Sequence, residues 1–286
     1  MNSPDASPGD ASPESAAAAF HPNGFRLDGR RVVVTGGTQG VGGAIARGLS
    51  SVGADLVLIG LERDDATEAT LTACRENGRT AELILCDLSK PAETWIDDLL
   101  AKIDEALPGV DTLVNNAGMF IDVPFLEMTP ERYQTTMNLN VGAGYFLTQA
   151  FAKCWVQNQV AGRVLFTGSI NGFLAEPDHT AYDTSKGAVA SMVRSLCVSL
   201  APHGIRVNSM APGLVRTRLT DVVNHDASIE SWMQLHTPNG QIPSPDACVG
   251  AAIFLLSDVA QHVHGQTLLV DGGMSAWQQP DLPAER

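Results

Sequence analysis

Past Phe25 the chain alternates short β-branched runs with longer amphipathic ones. RVVVT (31–35), DLVLIG (55–60), AELILCD (81–87) and DTLVNNAG (111–118, running into a loop) read as buried strands. Residues 163–168, IRVNSMAP (205–212) and QTLLVD (266–271) complete a set of seven. Between them lie helical patterns over 44–53 (stopping at a glycine), 64–77, 91–107 (beginning with Pro91), Thr129 to about Gln159, the segment that carries Tyr182, and 245–257. Residues 213–243 are less regular. Strands that alternate with helices predict a parallel sheet covered on both faces. The expected fold is therefore α/β: one doubly wound domain over 25–277 whose seven-stranded parallel sheet has helices on both faces.

A length of 286 residues suits one such domain, and 44% hydrophobic against 17% charged residues implies much buried surface, subunit contacts included. Residues 1–24 are rich in Ala, Ser, Pro and Asp and have no basic stretch before the short AAAAF run. They read as a disordered tail rather than a signal peptide, and QQPDLPAER (278–286) reads as a surface tail. No run reaches the roughly 18–20 apolar residues of a membrane span. With a net charge of −14, neither nucleic acid nor an anionic membrane is an expected partner. Five scattered cysteines without a C-x-x-C pair point to a reducing, cytoplasmic setting. His262 and His264 have no other ligand at metal-binding spacing, so no metal is expected.

Two stretches carry candidate chemistry. In SINGFLAEPDHTAYDTSK (169–186), Tyr182 and Lys186 stand four apart at the start of a helical pattern, hence on one helical face. An ammonium fixed beside a phenol would lower the phenol's pKa and make it a proton donor and acceptor for an alcohol or carbonyl. Ser169, at the end of the fifth strand, can present a hydroxyl to the same oxygen. An ordinary amphipathic helix would show the same Y-x-x-x-K spacing, so this stretch needs support from elsewhere. That support is Thr35-Gly36-Gly37-Thr38-Gln39-Gly40-Val41-Gly42-Gly43, directly between the first strand and its helix. Glycines there let the backbone approach a pyrophosphate at the helix N-terminus, as in Rossmann domains.

The spacing T-G-x-x-x-G-x-G, Asp87 after strand three, Asn115-Asn116-Ala117-Gly118, Asn140, Ser169, Tyr182, Lys186, Pro212-Gly213 and Thr217 occur in one order. In this the chain resembles the short-chain dehydrogenase/reductase family over roughly residues 27–275, and within it the sugar and sugar-acid dehydrogenases of the gluconate and deoxygluconate type. The resemblance implies a general acid/base at Tyr182 and a lysine at 186 that lowers its pKa and binds the nicotinamide ribose. It implies an orienting hydroxyl at Ser169 and a water-holding asparagine at Asn140, with Asn138 as the alternative. It gives Asn115 the task of holding the central strands together. It implies a dinucleotide held by Gly36, Thr38, Gln39, Gly40 and Val41, by Gly60 and Leu61, and by Asp87 and Leu88. Asn116, Ala117, Gly118, Tyr182, Lys186, Pro212, Gly213, Val215 and Thr217 complete that set.

Relatives that prefer NAD often close strand two with an acid, where this chain has Gly60. Relatives that prefer NADP often place a cation there, and the one candidate, Arg63, is surrounded by Glu62, Asp64 and Asp65. NAD is the expected cofactor, with NADP not excluded. Substrate determinants are expected in Phe120–Val123, Ile170–His179, Leu214–Leu219 and 220–240, with Trp232 and Met233. Arg216 and Arg218 are candidate carboxylate clamps, and Asn171, Glu176 and His179 candidate partners for sugar hydroxyls. The expected reaction is hydride transfer between a nicotinamide cofactor and a secondary alcohol or ketone, a sugar, polyol or sugar acid. The alternatives are a 3-oxoacyl thioester, steroid or xenobiotic ketone as substrate, or a non-catalytic dinucleotide-binding regulator. Family relatives are mostly homotetramers, so a homotetramer, or a homodimer, is the expected assembly.

Overall fold

A computed structural model of the chain describes residues 22–217 and 227–277. The two expected tails lie almost wholly outside those residues. Pro22–Phe25, at the edge of the expected N-terminal tail, form a 3-10 turn, with Gly24 so close to Val259 that a Cβ at 24 would come within 2.7 Å of its side chain.

Seven strands form one parallel sheet in the order β3-β2-β1-β4-β5-β6-β7. They are β1 (Arg31–Thr35), β2 (Asp55–Gly60), β3 (Ala81–Leu85), β4 (Thr112–Asn115), β5 (Arg163–Thr167), β6 (Arg206–Pro212) and β7 (Thr267–Val270). Alternate residues of each strand face opposite sides. On one face Val33, Val57, Leu113, Phe166 and Val207 join the core built with Leu99, Ile103, Leu147, Trp155 and Val193. On the other, Val32, Val34, Leu58, Val114 and Met210 pack with Ile45, Leu49, Leu71 and Leu255. Helices α3 (Ile96–Ala106), α5 (Ala143–Gln157) and α6 (Thr180–Leu200) supply the first layer. Helices α1 (Gly40–Ser51), α2 (Asp65–Glu76) and α8 (Val249–Leu256) supply the second.

The chain reverses its winding between β1 and β4, and in such sheets ligands bind beyond the strand C-termini at that point. Three departures from the sequence pattern bear on that end of the sheet. The helix expected over 129–159 is broken into α4 (Pro130–Met137) and α5 by a π-helical turn at Asn138–Gly142. Helix α1 starts at Gly40, ahead of its apolar stripe, because the glycine turn itself enters the first helical turn. The irregular stretch 213–243 contains a helix, α7 (Ala227–His236).

Candidate active site

Beyond the strand C-termini opens a cleft of about 760 Å³. At one end the glycine turn wraps it. Gly36 and Gly40 have φ of +59° and +56°, where a side chain is strained. A Cβ on Gly42 would lie 2.1 Å from the Gly36 carbonyl oxygen. Only glycines let this turn fold back over the start of α1, where Gln39 caps the helix without a side-chain hydrogen bond. Free N–H groups and the positive end of the helix dipole thus meet the cleft, which Gln39, Gly40 and Val41 line.

The residues expected to hold the dinucleotide all line this cleft: the β1–α1 turn, Gly60 and Leu61 after β2, Asp87 and Leu88 after β3, Asn116 to Gly118 after β4, and Pro212, Gly213, Val215 and Thr217 after β6. Such a cradle, with its turn closed to side chains, fits a nicotinamide dinucleotide. Thr35 organises it, since its Oγ1 accepts from the N–H groups of Asn116 and Ala117, both at 3.0 Å. The Asn116 amide donates to the carbonyls of Thr35 and Gly36 and accepts from Thr167 Oγ1 at 3.1 Å. Asn116 therefore ties β1, β4 and β5 together, a task the family resemblance gave to Asn115. Asn115 instead donates to Thr148 on α5 at 3.0 Å.

Asp87 is occupied by Ser89, whose hydroxyl and N–H donate to it at 2.6 and 3.0 Å and hold its carboxyl below the usual range. At the end of β2 a Cβ on Gly60 would sit 2.6 Å from Thr38 Cγ2, which explains why no acid stands there. Arg63 is paired with Glu68, away from the cleft lining.

Toward the middle of the cleft α6 presents Tyr182 and Lys186 one turn apart. Lys186 is buried, its Nζ donating to the Thr167 carbonyl at 3.0 Å and lying 5.5 Å from the centre of the Tyr182 ring. Burial pulls its pKa down to about 8. Tyr182 packs edge-on against Phe120 and His179. Its pKa is raised: burial outweighs the lowering effect of the Ser169 hydroxyl, and the Asp183 and Glu176 carboxylates push the same way as burial. The expected loosening of the phenol by the amine is therefore not a property of the chain alone, because the amine bonds a carbonyl rather than the phenol.

Ser169 Oγ is fixed by Asn171, donating to its Oδ1 at 3.2 Å and accepting from its N–H at 3.1 Å. Asn171 in turn donates to Asp183 at 2.8 Å and Glu176 at 3.2 Å. Asn140 stands behind the cleft wall, drawn inward by the π-helical turn. It donates to the Met119 carbonyl at 2.8 Å and to Ser185 Oγ at 2.9 Å, and accepts from the Met119 N–H at 2.9 Å. It also borders a cavity of about 10 Å³, the size of one water, shared with Asn115 and Thr167. The alternative, Asn138, points elsewhere and donates to the Ser89 carbonyl. Thr167, Met119 and Ser185 take part without having been singled out, two of them through backbone atoms that leave no trace in side-chain identity.

Of the substrate candidates, Phe120, Asp122, Asn171, Glu176, His179, Leu214 and Met233 line the cleft. Arg216 does not: its guanidinium is taken by Glu230 and the Ile242 carbonyl. Trp232 stacks on His236 at 4.1 Å. Arg218 and Leu219 lie outside the described residues. Among the described residues no cluster of three His, Cys, Asp or Glu side chains is placed to hold a metal, and no helix is long and apolar enough to cross a membrane.

A family model described as enoyl-(acyl carrier protein) reductase matches residues 36–275. The chain is 31% identical over 255 residues to gluconate 5-dehydrogenase of Gluconobacter oxydans, an alignment that covers 89% of this chain and 98% of that protein. It is 32% identical over 248 residues to an L-rhamnose 1-dehydrogenase (NAD(P)(+)) of a Sphingomonas species, covering 87% and 97%. The crystal structure of a gluconate 5-dehydrogenase from Burkholderia cenocepacia, in complex with NADP and tartrate, superposes with a TM-score of 0.82 at 31% identity, covering 90% of this chain and 99% of that one.

Proposed function

Because the chain belongs to the short-chain dehydrogenase/reductase family and is an NAD(P)-dependent oxidoreductase of secondary alcohols and ketones, we propose that its substrate is a sugar, polyol or sugar acid and that Tyr182 moves the proton. The observation that carries the reading is the convergence of Tyr182, Ser169 and Lys186 in one cleft with a dinucleotide-sized cradle. The bound nicotinamide supplies the hydride chemistry. Tyr182 donates its phenolic proton to the carbonyl oxygen in reduction and takes it back in oxidation. Ser169 holds that oxygen by a hydrogen bond, its own orientation set by Asn171. Lys186 keeps a positive charge under the reacting centre and reaches the ribose, while Asn140 shapes the wall behind it and holds the water that connects Lys186 to solvent. Gluconate and rhamnose, named in the relatives, set the substrate class to try first.

Within NAD(P), NAD is the preferred cofactor in this proposal. Lys186 is the only lysine or arginine among the described residues that line the cleft, Leu61 stands where a cation would meet a 2′-phosphate, and Arg63 is spent on Glu68. A higher kcat/KM with NADP than with NAD would refute that preference. The assembly is a homotetramer or homodimer, supported by exposed Tyr145, Phe146 and Val198 on α5 and α6 and by Leu268 and Leu269 on the edge strand β7. Light scattering behind size exclusion tests it, a monomer being the refuting result. Five free thiols agree with a cytoplasmic site of action. The activity itself is tested by following nicotinamide absorbance across sugars, polyols, sugar acids and ketones with both cofactors. No turnover in either direction would overturn it.

A further inference from the structure

The substrate end of the cleft is built from two loops, 118–123 after β4 and 169–179 after β5. They are joined by a backbone bond, Val123 N–H to the Asp178 carbonyl at 3.0 Å. They are also joined through His179, whose Nε2 pairs with Asp122. The other ring nitrogen, Nδ1, is buried without a hydrogen bond, a Glu176 oxygen lying 3.4 Å away out of line. The imidazole is therefore held between two carboxylates, its ring 5.3 Å from Phe120 and 6.1 Å from Tyr182, centre to centre.

Among the described residues the ionisable side chains at this end are mostly acidic, and the His179 imidazole is the one basic group set between them. Asp122 and Glu176 line this end with half-exposed or exposed carboxylates, and Asp183 stands directly behind, its oxygens committed to Asn171 and the Glu176 N–H. The one ammonium among the described residues that line the cleft, Lys186, is turned to the Thr167 carbonyl on the cofactor side. Of the two arginines offered as carboxylate clamps, Arg216 is neutralised by Glu230 and Arg218 lies outside the described residues.

From this arrangement we infer that the site selects an uncharged polyhydroxylated substrate, a sugar or polyol, over its carboxylate-bearing counterpart. The inference rests on the alcohol-oxidoreductase reading above and narrows its substrate class. Carboxylate oxygens accept hydrogen bonds and offer none, so Asp122 and Glu176 suit the hydroxyl donors of a sugar. A substrate carboxylate would face like charges, with no lysine or arginine free to offset them among the described residues at this end, and could make no hydrogen bond to either group. Phe120, Leu214 and Met233 provide the apolar wall for the C–H face of the sugar chain.

The test is kcat/KM for matched pairs that differ only at one terminus, alditols or aldoses against the corresponding aldonates, with wild type, Glu176→Gln and Asp122→Asn. Wild type should favour the uncharged member by about tenfold or more. Glu176→Gln keeps an oxygen for Asn171 and removes the charge, so it should narrow that preference severalfold by improving the acid. Asp122→Asn should do the same by a different contact, which keeps the test open if one loop fails to fold. Added salt should weaken the discrimination, since both carboxylates reach solvent. Equal or better turnover of the aldonates by wild type would overturn the inference while leaving the oxidoreductase assignment standing. So would a preference untouched by both variants. Absence of turnover with every member of every pair would instead overturn the assignment, and this inference with it.

Discussion

Replacing Lys186 with Met should stabilise the protein without its cofactor and abolish its activity. Lys186 is 6% exposed and its pKa falls from 10.5 to about 8, which corresponds to about 3 kcal/mol lost to keeping it charged in the fold at neutral pH. Met has a similar stem and no charge to desolvate. Against this gain, the Thr167 carbonyl loses its donor, at a cost of about 1–2 kcal/mol. The net expectation is a variant more stable by about 1–2 kcal/mol near pH 7, or roughly 2–8 °C in Tm for a chain of this size.

The pH dependence fixes the cause. A lysine whose folded pKa is depressed leaves the unfolded state holding more protons between about pH 8 and 10.5, so wild-type stability gains on the variant across that window. The advantage of Met should be full below about pH 8, shrink above it, vanish near about pH 9 and be reversed by about pH 10.5, where a neutral amine still donates to Thr167. Urea unfolding of both proteins at matched pH values reads the difference directly, and the other titrating groups, Tyr182 included, are common to both. A Met variant less stable near neutral pH, or a gap that does not change with pH, would refute the reasoning.

Tyr182→Phe removes only the proton donor, so kcat should fall by about a thousandfold or more while the dinucleotide Kd, read by fluorescence, stays within about threefold. Gly42→Ala puts a Cβ 2.1 Å from the Gly36 carbonyl and 2.3 Å from the Asn116 amide. It should cost at least about 1–3 kcal/mol in urea unfolding and weaken dinucleotide binding with it. Leu61→Arg places a guanidinium on the exposed rim after β2 and should raise kcat/KM for NADP about tenfold relative to NAD; an unchanged ratio would place the 2′-phosphate site elsewhere.

The sheet was legible because buried parallel strands read as β-branched runs whichever face they present, and the glycine turn because its spacing sits between a strand and a helix. The site was legible in its side chains and much less in what holds them. Asn140 reaches Met119 and Ser185 because the helix adds one π-helical turn at Asn138–Gly142, and α4, with Thr136 its only buried residue, carries no apolar stripe against which the one-residue phase skip could be read. The same limit applied to α7, whose mixed composition hid a helix that brings Met233 to the cleft. Arg216 shows the reverse failure. Its charge suggested a ligand for an anion, but Glu230 is far enough along the chain that sequence proximity did not reveal the pair. Interactions by backbone carbonyls, such as Thr167 with Lys186, have no side-chain signature at all.

The phenol and the amine make the same point about where function sits in this fold. Taken alone, a Y-x-x-x-K turn promises an acidified tyrosine, yet the surroundings push Tyr182 upward and Lys186 downward, each away from its charged form. Both shifts come first from burial, which is the condition for the site to exclude water, and the tyrosine's is deepened by Glu176 and Asp183, the first of which also lines the substrate end. The chain thus holds a protonated phenol ready to donate, next to an amine whose charge is costly until a partner shares the space. Under the proposed mechanism, a ligand that shares a hydrogen bond or a negative charge with Lys186 would stabilise the fold by lowering that cost. The residues that cost the fold stability are those to which the proposed mechanism gives the proton and the charge beside it, and this is why the buried lysine, rather than any surface ion pair, is where sequence, stability and activity can be measured against one another.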